Sequence, residues 1–214
     1  ITQVAAGGTH SLALASDGTM YAWGDGSKGQ LGNGTNTNSS IPVVVDASDP
    51  SIAGKTVTQI SSGMYSSFAL ASDGTMYIWG ENNSNSPVAV PTTGTPMDGK
   101  RIVQVVHNLA HLLALADDGT MYAWGENSSG QLGNGTNTNS NVPVAVKTTG
   151  TPLDDKTIIQ VIAGASYSLA LASDGTIYSW GGNGKGQLGN GTAINSTIPV
   201  AVSLTGNSAL APST

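Results

Sequence analysis

The sequence predicts an all-β fold: four tandem four-stranded units packed face to face as the blades of a β-propeller. Three observations predict it. A repeat runs the length of the chain, its strands are apolar on both sides, and a turn dipeptide recurs at one place in every repeat.

The repeat comes first. Residues 4–24 align with residues 60–80, 105–125 and 161–181. The hairpin dipeptide recurs as Asp17-Gly18, Asp73-Gly74, Asp118-Gly119 and Asp174-Gly175. Tyr-x-Trp-Gly follows each time, so Trp23, Trp79, Trp124 and Trp180, all the tryptophans of the chain, share one repeat position. Three repeats then carry Gly-Gln-Leu-Gly-Asn-Gly-Thr, at residues 29–35, 130–136 and 186–192. The second repeat lacks it and passes from Glu81-Asn82-Asn83 almost directly to Pro87. Each unit closes on Pro-Val-x-Val, at Pro42, Pro87, Pro143 and Pro199. These anchors set the expected blades at 1–55, 56–99 (with the shortened loop), 100–156 and 157–202, with 203–214 a spacer toward a further repeat.

Within the first unit the strands are expected at residues 1–6, 10–15, 20–23 and 42–45. Asp17-Gly18 suits a two-residue hairpin, because both residue types accept positive φ. The Gly/Asn-rich stretch between the third and fourth strands reads as a loop. Pro42 suits the start of an edge strand, which need not donate every ladder hydrogen bond. Leu12 and Leu14 point to one side of their strand and Ala13 and Ala15 to the other, so neither side is polar. Such a strand must be covered twice, which stacked blades provide. The expected core is therefore Leu12, Leu14 and the four tryptophans, with the small alanines letting the next sheet approach and Tyr21 and Trp23 filling the opposite space.

Composition narrows the function. No apolar run approaches the ~18 residues of a membrane span. The net charge of -6 repels phosphate backbones, so nucleic acid is not an expected partner. The absence of Cys removes disulfides, thiolate catalysis and Cys-ligated metal. A polar surface of Asn, Thr, Ser and Gly, poor in Lys and Glu, points to a secreted or surface-displayed bacterial protein. The chain starts on a strand at Ile1, as expected of an excerpt or of a chain whose leader has been removed.

The compound pattern Ala-Gly-Gly-x-His-Ser-Leu-Ala-Leu, Asp-Gly, Tyr-x-Trp-Gly, Gly-Gln-Leu-Gly-Asn-Gly-Thr, Pro-Val resembles the regulator of chromosome condensation repeat family, in its bacterial multi-repeat form, across essentially the whole chain. Ring-closing members of that family typically carry seven such blades, so the resemblance implies that these four belong to a larger ring or array. It also implies structural roles. His10 and His111, at the position where the family usually has His, would hydrogen-bond loop backbone. Gln30, Gln131 and Gln187 would bond backbone, and Leu31, Leu132 and Leu188 would plug the core.

No catalytic, metal or cofactor site is expected. Ser66 and Tyr167 hold the other two His positions, so no ring of imidazoles forms. His107 and His111 lie four apart on an extended strand, which is not the helical geometry of a zinc pair. Ser11, His10 and Asp17 supply the letters of a triad without its geometry, since neighbouring strand residues face opposite ways. Residues 25–35 lack the repeated carboxylates of a calcium loop. The informative residues break the repeat at an exposed turn: Gly8-Thr9, Met64-Tyr65, Leu109-Ala110 and Ala165-Ser166. Met64, Tyr65 and Leu109 are costly to leave in water and are the candidate partner-binding residues. In the β-lactamase-inhibitory propeller of that family, residues at the position matching Tyr65 are often aromatic and reach the partner, which the resemblance implies for Tyr65 alone; Thr9, Ala110 and Ser166 depart from that. The expected function is a non-enzymatic binding scaffold presenting loops to a protein or glycan. A self-assembling fibre or surface-layer subunit, held by its terminal blade faces, is the second expectation. Guanine-nucleotide exchange, known for the eukaryotic founder, comes last, because it relies on a full ring and on loops not recognisable here.

Overall fold

The fold is seen in a computed structural model that describes residues 1–81, 84–108 and 111–204. Its strands are β1 (Gln3–Ala6), β2 (His10–Leu14), β3 (Met20–Gly24), β4 (Ser39–Val44), β5 (Val57–Ser62), β6 (Ser66–Ala71), β7 (Met76–Gly80) and β8 (Val88–Ala89). They continue as β9 (Ile102–Asn108), β10 (His111–Ala116), β11 (Met121–Gly125), β12 (Ser140–Ala145), β13 (Ile158–Ala163), β14 (Tyr167–Ala172), β15 (Ile177–Gly181) and β16 (Ser196–Ala201). They form four four-stranded sheets in sequential order, β1-β2-β3-β4, β5-β6-β7-β8, β9-β10-β11-β12 and β13-β14-β15-β16. The pairings are antiparallel, and the fold is that of propeller blades. Two compact units result: Ile1–Thr93 with Gly99–Leu109, and Gly94–Asp98 with Ala110–Thr214.

Two local expectations are corrected. The hairpins are not two-residue turns. Gly18 N–H bonds the Ala15 carbonyl at 3.1 Å and Ala15 N–H bonds the Thr19 carbonyl at 2.9 Å, which encloses three residues. Only the glycine takes positive φ, 87° at Gly18, while Asp17 stays in the ordinary region and its Oδ1 accepts Thr19 N–H at 2.9 Å. This is a turn followed by a glycine bulge, the commonest three-residue hairpin connection. The same bonds recur at Gly74, Gly119 and Gly175. The fourth strand also starts before the proline, at Ser39, so Pro42 lies inside β4. An edge strand tolerates it there because one row of its amides faces away from the ladder. Where the second repeat lost its loop, the fourth strand shrinks to β8, two residues long.

In the first unit Leu12, Leu14, Met20 and Leu31 pack with Val57, Ile60, Ala69, Tyr77 and Trp79 in one buried cluster. Leucines of one blade thus meet the aromatic side of the next. Trp79, Trp124 and Trp180 are buried, but Trp23 and Tyr21 are only half-buried. The first blade therefore departs from the expected core. Trp79 is covered by the loop of the blade before it.

Candidate functional site

Three layers build the site: in the first unit a stitch between the first strands of successive blades, and in both units a buried relay between sheets and a rim above it. The stitch uses the glutamine that opens each repeat. Gln3 Nε2 donates to the Ile60 carbonyl at 3.0 Å while its Oε1 accepts Ile60 N–H at 2.8 Å. Gln59 grips Val105 in the same way, at 2.8 and 3.0 Å. One side chain thus satisfies both backbone groups of a strand edge that would otherwise need water.

The relay centres on the carbonyl of Gln30. Ser67 Oγ–H donates to it at 2.8 Å and the Trp79 indole N–H at 3.0 Å. With its proton committed, the Ser67 oxygen accepts from His10 Nε2–H at 2.8 Å, which fixes His10 as the neutral Nε2–H tautomer. The second unit repeats the relay: Ser168 and Trp180 each donate to the Gln131 carbonyl at 2.9 Å, and His111 Nε2 meets Ser168 Oγ at 2.9 Å. The histidines therefore hold the next blade's serine rather than loop backbone, correcting the expected role, because each ring lies between two sheets. Burial pushes His10 down to about 4, opposed in part by the nearby Asp25 carboxylate, and pushes His111 down to about 4. The glutamine side chains fold inward: Gln30 Oε1 accepts Lys28 N–H at 2.8 Å, and Gln131 Oε1 accepts Ser129 N–H at 2.9 Å. Leu31, Leu132 and Leu188 are fully buried. The loop's closing glycine lets the indole lie against it, since a Cβ on Gly32 would stand 2.5 Å from Trp79 Nε1.

This His–Ser pair is not a nucleophile. Ser67 and Ser168 are fully buried, their protons are spent on carbonyls, and His10 Nδ1 and His111 Nδ1 have no hydrogen-bond partner to orient the ring. Among the described residues no three His, Asp or Glu side chains gather as a metal site.

Where the second repeat carries Ser66 in the histidine position, His107 from β9 supplies the ring. A Cβ on Gly7 would stand 2.4 Å from His10 Cε1, and one on Gly63 would stand 2.3 Å from His107 Cε1. His107 Nε2 lies 3.5 Å from Ser66 Oγ. The imidazole is relocated rather than lost.

The rim is built on backbone bonds that tie the turn after the first strand to the segment after Trp-Gly. Asp25 N–H bonds the Thr9 carbonyl at 2.9 Å, Glu81 N–H the Tyr65 carbonyl at 2.9 Å, and Gly182 N–H the Ser166 carbonyl at 2.8 Å. Met64 is 42% exposed although its Cγ packs over Gly8, while Tyr65 is half-buried. Lys28 Nζ and Glu81 Oε1, 3.9 Å apart, add charge beside them. Leu109 lies outside the described residues. The second unit has Ala165 and Ser166 at these positions. On the hairpin side, Lys156 pairs with Asp174 at 2.7 Å and Lys55 pairs with Asp73. The lysine and the adjacent turn amide hold each carboxylate down at about 2.

Sequence reading missed the stitch and the relay serines. Gln3, Gln59, Gln104 and Gln160 recur at one position, and so do Ser11, Ser67 and Ser168. Leu112 breaks the serine pattern in the repeat that follows the one without a Gln-Leu loop. That covariation is visible in the sequence once the carbonyl acceptor is known.

Comparison with known proteins agrees with this architecture. The mouse E3 ubiquitin-protein ligase HERC2 is 34% identical over 201 residues, 90% of this chain and 4% of that protein. The structure of human WBSCR16 superposes with a TM-score of 0.81 at 26% identity, covering 94% of this chain and 52% of that one. Prp20p of Saccharomyces cerevisiae superposes with a TM-score of 0.78 at 27% identity, covering 96% and 50%. This chain thus spans about half the length of these propellers and a small part of the ligase. The regulator of chromosome condensation (RCC1) repeat matches residues 17–70, 118–171 and 174–211, and a second description of that repeat matches 1–30, 57–86, 102–131 and 158–187. With repeats matched along its length and the blade architecture to go with them, the chain belongs to the regulator of chromosome condensation repeat family.

Proposed function

We propose that this chain is a non-enzymatic binding module whose rim at Met64 and Tyr65 contacts a protein partner. The observation that carries this reading is Met64, 42% exposed on a turn anchored by backbone hydrogen bonds to a rigid sheet pair. Large side chains held at a loop tip over a fixed scaffold lose little entropy on binding. Prp20p, a similar propeller, is described by its binding to Gsp1p and histones, which supports a protein as the kind of partner. A glycan is the alternative ligand at the same rim. The Asn-, Thr- and Ser-rich surface without cysteine supports placing the module in a secreted or surface-exposed bacterial protein. The test is capture from intact cells and matrix polymers by the wild-type chain and by a Met64→Ser/Tyr65→Ser variant of equal melting temperature. Selective loss of captured species in the variant supports the rim; identical capture, or none by either, sinks it.

A further inference from the structure

We propose that Asn33 and Asn134 are self-modifying sites, whose side-chain amides convert to aspartate or isoaspartate when the neighbouring blade releases the glycine that follows. The loop repeat places Asn33-Gly34 in the first blade and Asn134-Gly135 in the third. Asparagine is a thermolabile residue, and a glycine after it lacks the Cβ that would hinder cyclisation. The chemistry needs only water. The Gly34 amide gives up its proton to solvent base, and its nitrogen attacks Asn33 Cγ. The new C–N bond closes a succinimide as the Cγ–Nδ2 bond breaks, and ammonia leaves with a proton returned by the solvent. Water then opens the ring at either carbonyl, leaving aspartate or isoaspartate at position 33 with no change of oxidation state.

The loop favours the attack. Asn33 Oδ1 accepts Thr35 N–H at 3.2 Å and Thr35 Oγ–H at 2.9 Å. Asn134 Oδ1 accepts the same two groups of Thr136, at 3.1 and 2.8 Å. Two donors on an amide oxygen stabilise the negative charge that gathers there as the carbon turns tetrahedral. Gly34 and Gly135 are exposed, so solvent base reaches the peptide.

What opposes the attack comes from the next blade. Gly34 N–H donates to the Asn85 carbonyl at 3.0 Å, and Asn85 Nδ2 donates back to the Gly34 carbonyl at 3.0 Å. Asn85 also lies so close over Gly29 that a Cβ there would stand 2.8 Å from its Cα. In the second unit Gly135 N–H donates to the Thr197 carbonyl at 2.9 Å, and Thr197 covers Gly130 as Asn85 covers Gly29. An amide whose proton is held by a carbonyl is slow to ionise and its peptide plane is fixed, so cyclisation waits for that blade contact to open. Isoaspartate makes the change one-way, because it routes the main chain through an extra methylene and shifts Gly34 from its partner. Asn183-Gly184 is the contrast. Asn183 is fully buried, its Nδ2 donating to the Thr192 and Ile194 carbonyls and its Oδ1 accepting Leu188 N–H, so it is expected to stay an amide.

The test incubates the full chain in mildly alkaline buffer, with and without denaturant, and follows each asparagine by peptide mass spectrometry. In denaturant Asn33 and Asn134 are expected to convert at similar rates, and in the folded chain both at least about tenfold more slowly. Asn85→Gly, which removes the side-chain bond and loosens the carbonyl, is expected to speed Asn33 several-fold and leave Asn134 at its wild-type rate. Thr197→Gly is expected to do the reverse. Equal rates in the folded and denatured chain overturn the proposal. So does either variant that leaves both rates unchanged, or that raises both together, since conversion would then follow unfolding of the whole chain rather than release by one blade.

Discussion

The two units are built from the same parts, and their differences separate scaffold from specialisation. Both use one relay, with His10, Ser67, Trp79 and the Gln30 carbonyl matched by His111, Ser168, Trp180 and the Gln131 carbonyl, at distances that agree within about 0.1 Å. They differ above it. The first unit presents Met64 and Tyr65 where the second presents Ala165 and Ser166. They also differ inside the long loops. Asn127 in the second unit is fully buried and organises its loop: Nδ2 donates to the carbonyls of Thr136 at 2.9 Å and Thr138 at 3.0 Å, while Oδ1 accepts Leu132 N–H at 2.9 Å. Asn183 does the same in the fourth blade. The first unit has Gly26 there, and its loop closes in so far that a Cβ would stand 2.1 Å from the Thr37 carbonyl oxygen. A repeat position can thus be filled by a side-chain network or by contraction of the backbone, but the interface beneath stays constant.

The largest break expected is at the relay. Trp180→Ala is expected to destabilise by about 3–5 kcal/mol, since it opens a cavity and strips a donor from Gln131, while Trp23→Ala in the isolated chain costs far less. Chemical denaturation of the two variants measures the contrast, and equal losses would mean the indoles do not depend on the preceding blade. Acid should act next. His10 and His111 bind protons at about 4 when folded and near 6.5 when unfolded. Stability is then complete above pH 6.5 and falls as the pH drops toward 4, by on the order of 3 kcal/mol per ring. A His10→Phe/His111→Phe variant should show a flatter melting temperature between pH 7 and 4; an unchanged slope would place the acid sensitivity elsewhere.

Asn127→Ala is expected to cost about 2–4 kcal/mol, because it leaves a buried amide and two carbonyls without partners. The reverse graft, Gly26→Asn, should also destabilise, since the first loop has no room for the network. Stabilisation by that graft would show that the contraction at Gly26 is incidental. The smallest effect concerns the relocated ring. His107→Ala should cost about 1–2 kcal/mol, and adding Ser66→His should recover part of it by restoring the arrangement at Gly7. Purely additive losses in that double-mutant cycle would separate the two positions.

The fold was legible because each blade repeats the same apolar alternation and the same turn residues, so four copies of a weak signal made a strong one. The hairpin register was not, because Asp17-Gly18 fits both a two-residue turn and a three-residue loop, and the choice falls to whether Asp17 or only Gly18 takes positive φ. The relay was visible only in part. His10 and the Gln-Leu pair stood out, but Ser67 reads as an ordinary strand residue until the loop of a different blade is laid over it. Trp23 misled for the same reason: its repeat position promises burial, and the burying surface belongs to a neighbour. The rim residues were found from their cost in water, a property each side chain carries alone.

In both relays the loop of one blade supplies the acceptor on which the blade after it depends. Removing residues 29–35 would strand the Ser67 hydroxyl and the Trp79 N–H in a dry interior, so the deletion would need compensating changes at both positions. Loop length in one repeat is thereby coupled to residue type in the next, as Leu112 after the loopless second repeat illustrates.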